Sequence, residues 1–181
     1  MLFKIKSAMH NNENVASNQS GFTLVELVVV IVILGILGVA ALGKFRDLSS
    51  EANIAVLKSM GGTILSTGRL VYAKAIINGV QGQLKTNIVY GGETVEIRYG
   101  FPSSSRSEGV PKIIGGSFAS EWTWSSNYRE TVFWLTTASQ AGRSGQYINQ
   151  TAVLASGCYL RYFEASSSGS SPTITYDTDD C

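Results

Sequence analysis

An unbroken apolar segment near the N-terminus constrains this chain more than any other feature. It covers residues 22–42, FTLVELVVVIVILGILGVAAL, and Glu26 is its only charged residue. As an α-helix, these 21 residues are roughly 31 Å long at about 1.5 Å per residue, which is enough to cross a bilayer. A carboxylate inside such a segment costs free energy unless it is paired. Glu26 is therefore predicted to have a partner and a function.

The residues in front of the segment distinguish it from a cleaved secretory signal. A signal peptide has a shorter apolar stretch, and its small-residue cleavage site follows that stretch. Here the small residue Gly21 comes before the stretch, behind a polar leader that contains Lys4, Lys6 and His10. The alternative that the residues leave open is a plain signal-anchor helix in which Glu26 is incidental.

Residues 21–26, GFTLVE, closely resemble the processing site of type IV prepilins and pseudopilins. The resemblance implies that a membrane peptidase cuts after Gly21 and methylates the new amine of Phe22. Glu26 lies four residues along, on the same side of the helix. The resemblance implies that its carboxylate pairs with the amine of Phe22, in its own chain or in the next subunit, and sets the register of subunits entering a filament.

Composition excludes several classes of function. Without residues 1–21 the chain keeps 12 of its 14 basic and 12 of its 13 acidic side chains, so the mature chain is neutral. No basic stripe indicates a nucleic-acid partner. His10, the single histidine, lies in the leader, which leaves none for a Ser-His-Asp triad. We predict no catalytic residue, no metal site and no cofactor.

The two cysteines, Cys158 and Cys181, are an even pair in a chain with a membrane segment. This arrangement predicts a disulfide in an oxidising compartment. The bridge would close about 24 residues and contribute roughly 3 kcal/mol in the chain-entropy treatment. Two unrelated free thiols are the alternative.

The helix is predicted to continue beyond the membrane to about Ile77, where Asn78 and Gly79 provide a stop signal. Apolar or small residues recur in this part at three- and four-residue steps: Phe45, Leu48, Ala52, Val56, Met60, Ile64 and Val71. The pattern predicts an amphipathic helix that packs on a soluble domain.

From residue 80 the pattern changes to short strands separated by Ser/Gly turns. The predicted strands are 87–90, 94–99, 131–136, 152–154, 158–163 and 173–176, with a loop over 101–116. A long helix followed by an antiparallel sheet is an α+β arrangement. The predicted organisation is a cleaved leader (1–21), a transmembrane and filament-core helix (22–43), its amphipathic continuation (44–79) and a globular domain (80–181).

Two local features each allow a second interpretation. The most aromatic stretch contains Trp122, Trp124, Tyr128, Phe133 and Trp134. We favour a sheet core, or packing of a loop onto the helix, over a carbohydrate-binding face. Three carboxylates near the C-terminus belong to Asp177, Asp179 and Asp180. Since no calcium-loop pattern accompanies them, we favour a solvated acidic tail over a Ca²⁺ site.

Three short motifs and the late cysteine pair look like those of the mannose-sensitive haemagglutinin pilins. The motifs are KFRDL (44–48), LVYAKA (70–75) and YGFP (99–102). The resemblance implies a pilus subunit, anchored in the inner membrane and then assembled into an extracellular adhesive filament. The implied partners are identical or related pilin subunits, the prepilin peptidase and methylase, and a pilus assembly platform. The alternatives are a pseudopilin of a type II secretion system and, from another class, a signal-anchored periplasmic binding module.

Overall fold

A computed structural model describes residues 22–127 and 131–181, and only the backbone of residues 42, 43 and 45–47. Helix α1, Leu24–Ile77, is 54 residues long. It ends as predicted before Gly79, whose φ of +68° is left-handed. There the Val80 amide donates to the carbonyl of Ala75 (3.0 Å) and the Gly79 amide to that of Ile76 (2.9 Å). This pair of bonds is a Schellman motif, which satisfies carbonyl groups that the end of a helix leaves without partners.

The chain forms two compact units, and the division falls between Gly43 and Lys44. In the first unit, Leu24–Ala41 has a mean hydropathy of 3.0 and none of its residues is buried. Its length and composition suffice to cross a membrane.

In the second unit, α1 buries one narrow face. The buried positions recur at alternating steps of four and three residues: Leu57, Gly61, Ile64, Gly68, Val71 and Ala75. This face differs from the predicted one, because only Ile64 and Val71 are common to both. Leu48, Ala52 and Val56 are exposed, and Met60 is partly buried. The side chain of Phe45 lies outside the described part of the chain.

Two glycines account for the difference in the buried face. An added Cβ at Gly61 would overlap the Tyr176 hydroxyl, and one at Gly68 would lie 3.6 Å from Pro102. Glycine is a poor helix former, so by propensity alone both residues weaken the helix. In the folded domain they are the positions where α1 lies closest to these two side chains.

Two sheets follow the helix. The three-stranded sheet is antiparallel in the order β1-β2-β3, with bounds Thr86–Tyr90, Glu93–Arg98 and Phe101–Pro102. The five-stranded sheet has the order β6-β4-β5-β7-β8, with only the β4–β6 pair parallel. Its strands are β4 (Trp122–Asn127), β5 (Val132–Thr137), β6 (Gly145–Gln146), β7 (Tyr159–Phe163) and β8 (Thr173–Asp177). Four short helices complete the domain: α2 (Val110–Ile114), α3 (Phe118–Glu121), α4 (Ala138–Ala141) and α5 (Thr151–Leu154).

The predicted α+β class is confirmed, and most predicted strands lie within a residue of their observed bounds. The strand predicted at 152–154 is wrong, since these residues belong to α5. A side-chain contact starts this helical turn, in which the Thr151 amide donates to Oδ1 of Asn149 (3.3 Å). The predicted loop over 101–116 contains β3 and α2. Residues 122–127, which include Trp122 and Trp124, form β4.

Helix α1 contributes to the cores of both sheets. Leu57 and Ile64 belong to a cluster with residues of β4, β5 and β7, among them Phe133 and Leu160. Further along the helix, Val71 and Ala75 join Ile88, Val95 and Ile97 of the three-stranded sheet. A third cluster unites α5, β5 and β7 and consists of Val132, Trp134, Val153 and Tyr159. The helix is therefore the element around which both sheets are organised.

Buried polar contacts join the two sheets directly. The Glu164 carboxylate accepts from Arg98 Nη1 (2.9 Å) and from the Ser104 amide (2.6 Å). The Tyr162 hydroxyl donates to the carbonyl of Pro102 (2.6 Å). Burial, with a smaller effect of the nearby Glu164 charge, raises the pKa of the Tyr162 phenol far above its ordinary value. The phenol therefore stays neutral and remains a donor across the accessible pH range.

Neighbouring glycines give a matched test of the helix contact. No atom lies within 4 Å of a Cβ added at exposed Gly62, so Gly62→Ala should raise the free energy of unfolding by about 1 kcal/mol. Gly61→Ala should be about 1–3 kcal/mol less stable than Gly62→Ala, since its methyl group displaces Tyr176. Denaturant unfolding of the full chain in detergent measures both values. Equal stabilisation by the two variants would contradict the close contact at Gly61.

Candidate functional site

Two reciprocal hydrogen bonds between Thr23 and Glu26 cap the N-terminus of α1. The Glu26 amide donates to Oγ1 of Thr23 (3.2 Å), and the Thr23 amide donates to Oε2 of Glu26 (3.5 Å). The Leu27 amide donates to the Thr23 carbonyl (3.2 Å). This is a capping box, in which the first residue and the acid three positions later satisfy each other's amides.

The capping box adds a local partner for the Glu26 carboxylate that sequence reasoning missed. Its signal was readable, because Thr23-Leu-Val-Glu26 has the T-x-x-E spacing in front of an apolar run. The first described residue, Phe22, has a side chain that is 88% exposed. Gly21 and the predicted cleavage bond lie outside the described residues. The proposed pairing of Glu26 with a mature amine stays a prediction.

The predicted bridge between Cys158 and Cys181 is present. The two Cα atoms are 4.8 Å apart, and the Cys158 side chain is buried. The bridged end also contacts α1, because Nδ2 of Asn53 donates to the carbonyl of Cys181 (3.0 Å). Nε2 of Gln140 lies 3.4 Å from the same carbonyl oxygen. This hydrogen bond joins α1 to the last residue of the chain, and no sequence signal marked Asn53 for this role.

The aromatic stretch lies in the core. Trp122, Trp124 and Trp134 are each 6% exposed, and Phe133 is fully buried. The Trp122 and Trp124 rings join the cluster beside α1, while Trp134 faces α5. Tyr128 lies outside the described residues. The observed burial agrees with the core interpretation.

The acidic residues near the C-terminus do not form a metal centre in the part of the chain described. No group of three His, Cys, Asp or Glu residues there has a suitable arrangement. The Asp180 amide donates to the carbonyl of Gly157 (3.0 Å), and its side chain contacts Gly157. Asp177 hydrogen-bonds to the Tyr159 hydroxyl; burial, followed by this carboxylate, raises the pKa of Tyr159.

Comparison with known families identifies one segment. Residues 16–42 match the family model of the prokaryotic N-terminal methylation motif. No curated protein and no solved structure matches the chain at a significant level. The matched residues include Gly21, Phe22 and Glu26, together with the exposed apolar segment Leu24–Ala41. The N-terminal segment therefore carries the methylation motif of type IV pilin-like prepilins, on a helix long and apolar enough to cross a membrane.

The two roles of Glu26 can be separated by substitution. Glutamine can occupy the acid position of a capping box but carries no charge. If pairing with an amine drives assembly, Glu26→Gln and Glu26→Ala should both insert and be cut normally yet yield few filaments. If the cap alone matters, only Glu26→Ala should fail. Immunoblots of the membrane and of sheared filaments measure insertion, cleavage and assembly. Normal filament yield from Glu26→Gln would contradict the charge-pairing role.

Loss of the bridge should free the end of the chain from the domain. Cys181→Ser is expected to cost roughly 2–4 kcal/mol and to make residues 166–181, which follow the buried strand β7, sensitive to protease. Asn53→Ala, which keeps the bridge but removes one hydrogen bond, should cost only about 1 kcal/mol. Non-reducing peptide mapping of the wild-type chain is the control. Two alkylatable thiols in that sample would refute the bridge.

Proposed function

We propose that this chain is the structural subunit of a type IV pilus, similar to the mannose-sensitive haemagglutinin type. A prepilin peptidase cuts after Gly21 and methylates Phe22. The mature subunit waits in the inner membrane and is then polymerised, on an assembly platform, into an extracellular filament of identical or related subunits. The chain is a substrate of an enzyme and has no catalytic role of its own.

The observation that carries the proposal is the pairing of two features in one chain. A methylation motif covers a helix segment that is apolar and has no buried residue, Leu24–Ala41. The same helix continues into a folded, disulfide-closed domain. An apolar helix of this kind can leave the bilayer only if other apolar surfaces cover it, since its exposure to water is strongly unfavourable. Copies of the same chain provide such surfaces.

In the proposed assembly, the Glu26 carboxylate pairs with the N-terminal amine of a subunit. Cleavage after Gly21 would place a positive amine at Phe22, four residues before the carboxylate and two before the start of α1. Between apolar helices, where the dielectric constant is low, a charge is tolerated only when it is paired. An arriving subunit would therefore stop at the axial offset where its amine meets a carboxylate. The capping bond to Thr23 holds the carboxylate at the start of the helix until then.

Two alternatives predict different products. A pseudopilin of a type II secretion system would share the N-terminal segment and its processing. The Cys158–Cys181 bridge favours the pilin, because an exposed surface fibre benefits from a covalently closed edge. A signal-anchored periplasmic binding module would need an open ligand surface. The tryptophan-rich stretch was its only support, and the burial of these rings counts against it.

Electron microscopy and mass spectrometry of fibres sheared from the cell surface test the proposal. We expect fibres whose main subunit begins at Phe22 and is about 14 Da heavier than the unmodified chain, as one methyl group requires. Gly21→Val should leave an uncut precursor in the membrane and no fibres, since a peptidase site that fits glycine excludes a branched side chain. A native N-terminus at Met1, or fibres that lack this chain, would overturn the proposal.

A further inference from the structure

The two outer edges of the five-stranded sheet carry charges of opposite sign. Strands β6 and β8 are the terminal strands of that sheet. Four strand spacings separate them, roughly 19 Å at about 4.8 Å each. Arg106 and Arg143 lie beside β6. Asp177 ends β8, and Asp179 and Asp180 follow it. One arginine also reaches β8: Nε of Arg161 donates to Oγ1 of Thr175 (3.2 Å). The β6 edge therefore carries positive charges and the β8 edge mainly negative ones, although the mature chain is neutral overall.

Two arginines beside β6 both contact Tyr147. Arg106 Nη1 donates to the carbonyl of Ile148 (3.0 Å), and the Arg143 guanidinium carbon lies 4.0 Å from the centre of the Tyr147 ring. Neither arginine forms an ion pair with any residue in the described ranges. Ile148 beside them is 84% exposed. We call Arg106, Arg143, Tyr147 and Ile148 the basic edge.

The basic edge is shaped to receive an acidic side chain. A hollow of about 360 Å³ adjoins Arg106 and is lined only by polar residues: Ser105, Arg106, Ser107, Ser126 and Gln146. The backbone contacts of Tyr147 fix this region, because its amide donates to the carbonyl of Trp124 (2.7 Å). A fixed, unpaired guanidinium beside hydroxyl and amide groups favours a carboxylate ligand.

The opposite edge supplies carboxylates. Asp177 ends β8, and Asp179 and Asp180 follow it as exposed residues. None of the three forms an ion pair within the described part of the chain. The Cys158–Cys181 bridge holds the segment in place, so its carboxylates are presented on a fixed backbone. We call Asp177, Asp179 and Asp180 the acidic edge.

We propose that the basic edge of one copy of this chain binds the acidic edge of the next copy. The inference rests on the proposed filament and names the contact between its globular domains. When one patch of a protein binds a different patch of the next copy, the contact is heterologous. Such contacts propagate into open helical filaments when the rotation does not close a ring. Complementary charges also select the orientation of the arriving subunit.

Exchanging the charges tests the contact in the full-length chain. Arg143 and Asp179 suit this purpose, because both are exposed and neither holds a backbone group by a hydrogen bond among the described residues. Arg143→Glu and Asp179→Arg should each lower the yield of sheared filaments about tenfold, since like charges then face each other. The double variant should restore most of the yield. Arg143→Lys, which keeps the charge, is the matched control and should assemble well.

A second measurement does not depend on yield. A photoreactive benzophenone residue at Ile148 should form a ladder of crosslinked chains in filaments, with the attachment sites in residues 177–181. Crosslinks to another surface would overturn the contact, and so would a double variant that stays as poor as its parents. A defect in Arg143→Glu without one in Asp179→Arg would show that the basic edge binds a different partner. If the wild-type chain forms filaments and both single variants form them equally well, this contact is refuted but the proposed function is not. The absence of both filaments and crosslinked chains would refute the proposed function as well.

Discussion

The apolar segment Leu24–Ala41 is the constraint on which the rest of the structure depends. None of its residues is buried by the chain itself, so lipid or other protein must cover it. A backbone inside hydrocarbon needs internal hydrogen bonds, which only a continuous helix provides for a single span. The capping box at Thr23 and Glu26 gives that helix a defined first turn. In the proposed filament the same surface would exchange lipid for neighbouring helices.

The second half of α1 serves the opposite purpose. Its buried face contains glycines, so Tyr176 and Pro102 approach the helix closely. Both sheets pack on this half, and the Arg98–Glu164 pair links one sheet to the other. Asn53 and the bridged Cys181 hold the last residues of the chain against the helix. The helix therefore connects a segment that needs an external cover to a domain that buries its own core.

The sequence allowed the α+β class, the long helix and its end, and the disulfide to be predicted, because each depends on local or inventory signals. The predicted buried face of α1 differs from the observed one because a search for apolar residues passes over glycine. Gly61 and Gly68 nevertheless occupy buried positions. The strand prediction for residues 152–154 fails because three apolar or small residues fit either a helix or a strand period. In the structure they belong to a helical turn whose first amide, that of Thr151, bonds to the Asn149 side chain. The contacts of Asn53 and Arg106 join residues far apart in the chain, so no local pattern reports them.

A helical reconstruction of the purified fibre by electron cryo-microscopy tests the central claim most directly. The account predicts that residues 24–41 form packed helices in the interior of the fibre, with the folded domain of residues 44–181 on its outside. It also predicts density for a carboxylate of Glu26 beside an N-terminal amine. A fibre with the apolar segment on its outer surface, or one built without this chain, would contradict the account.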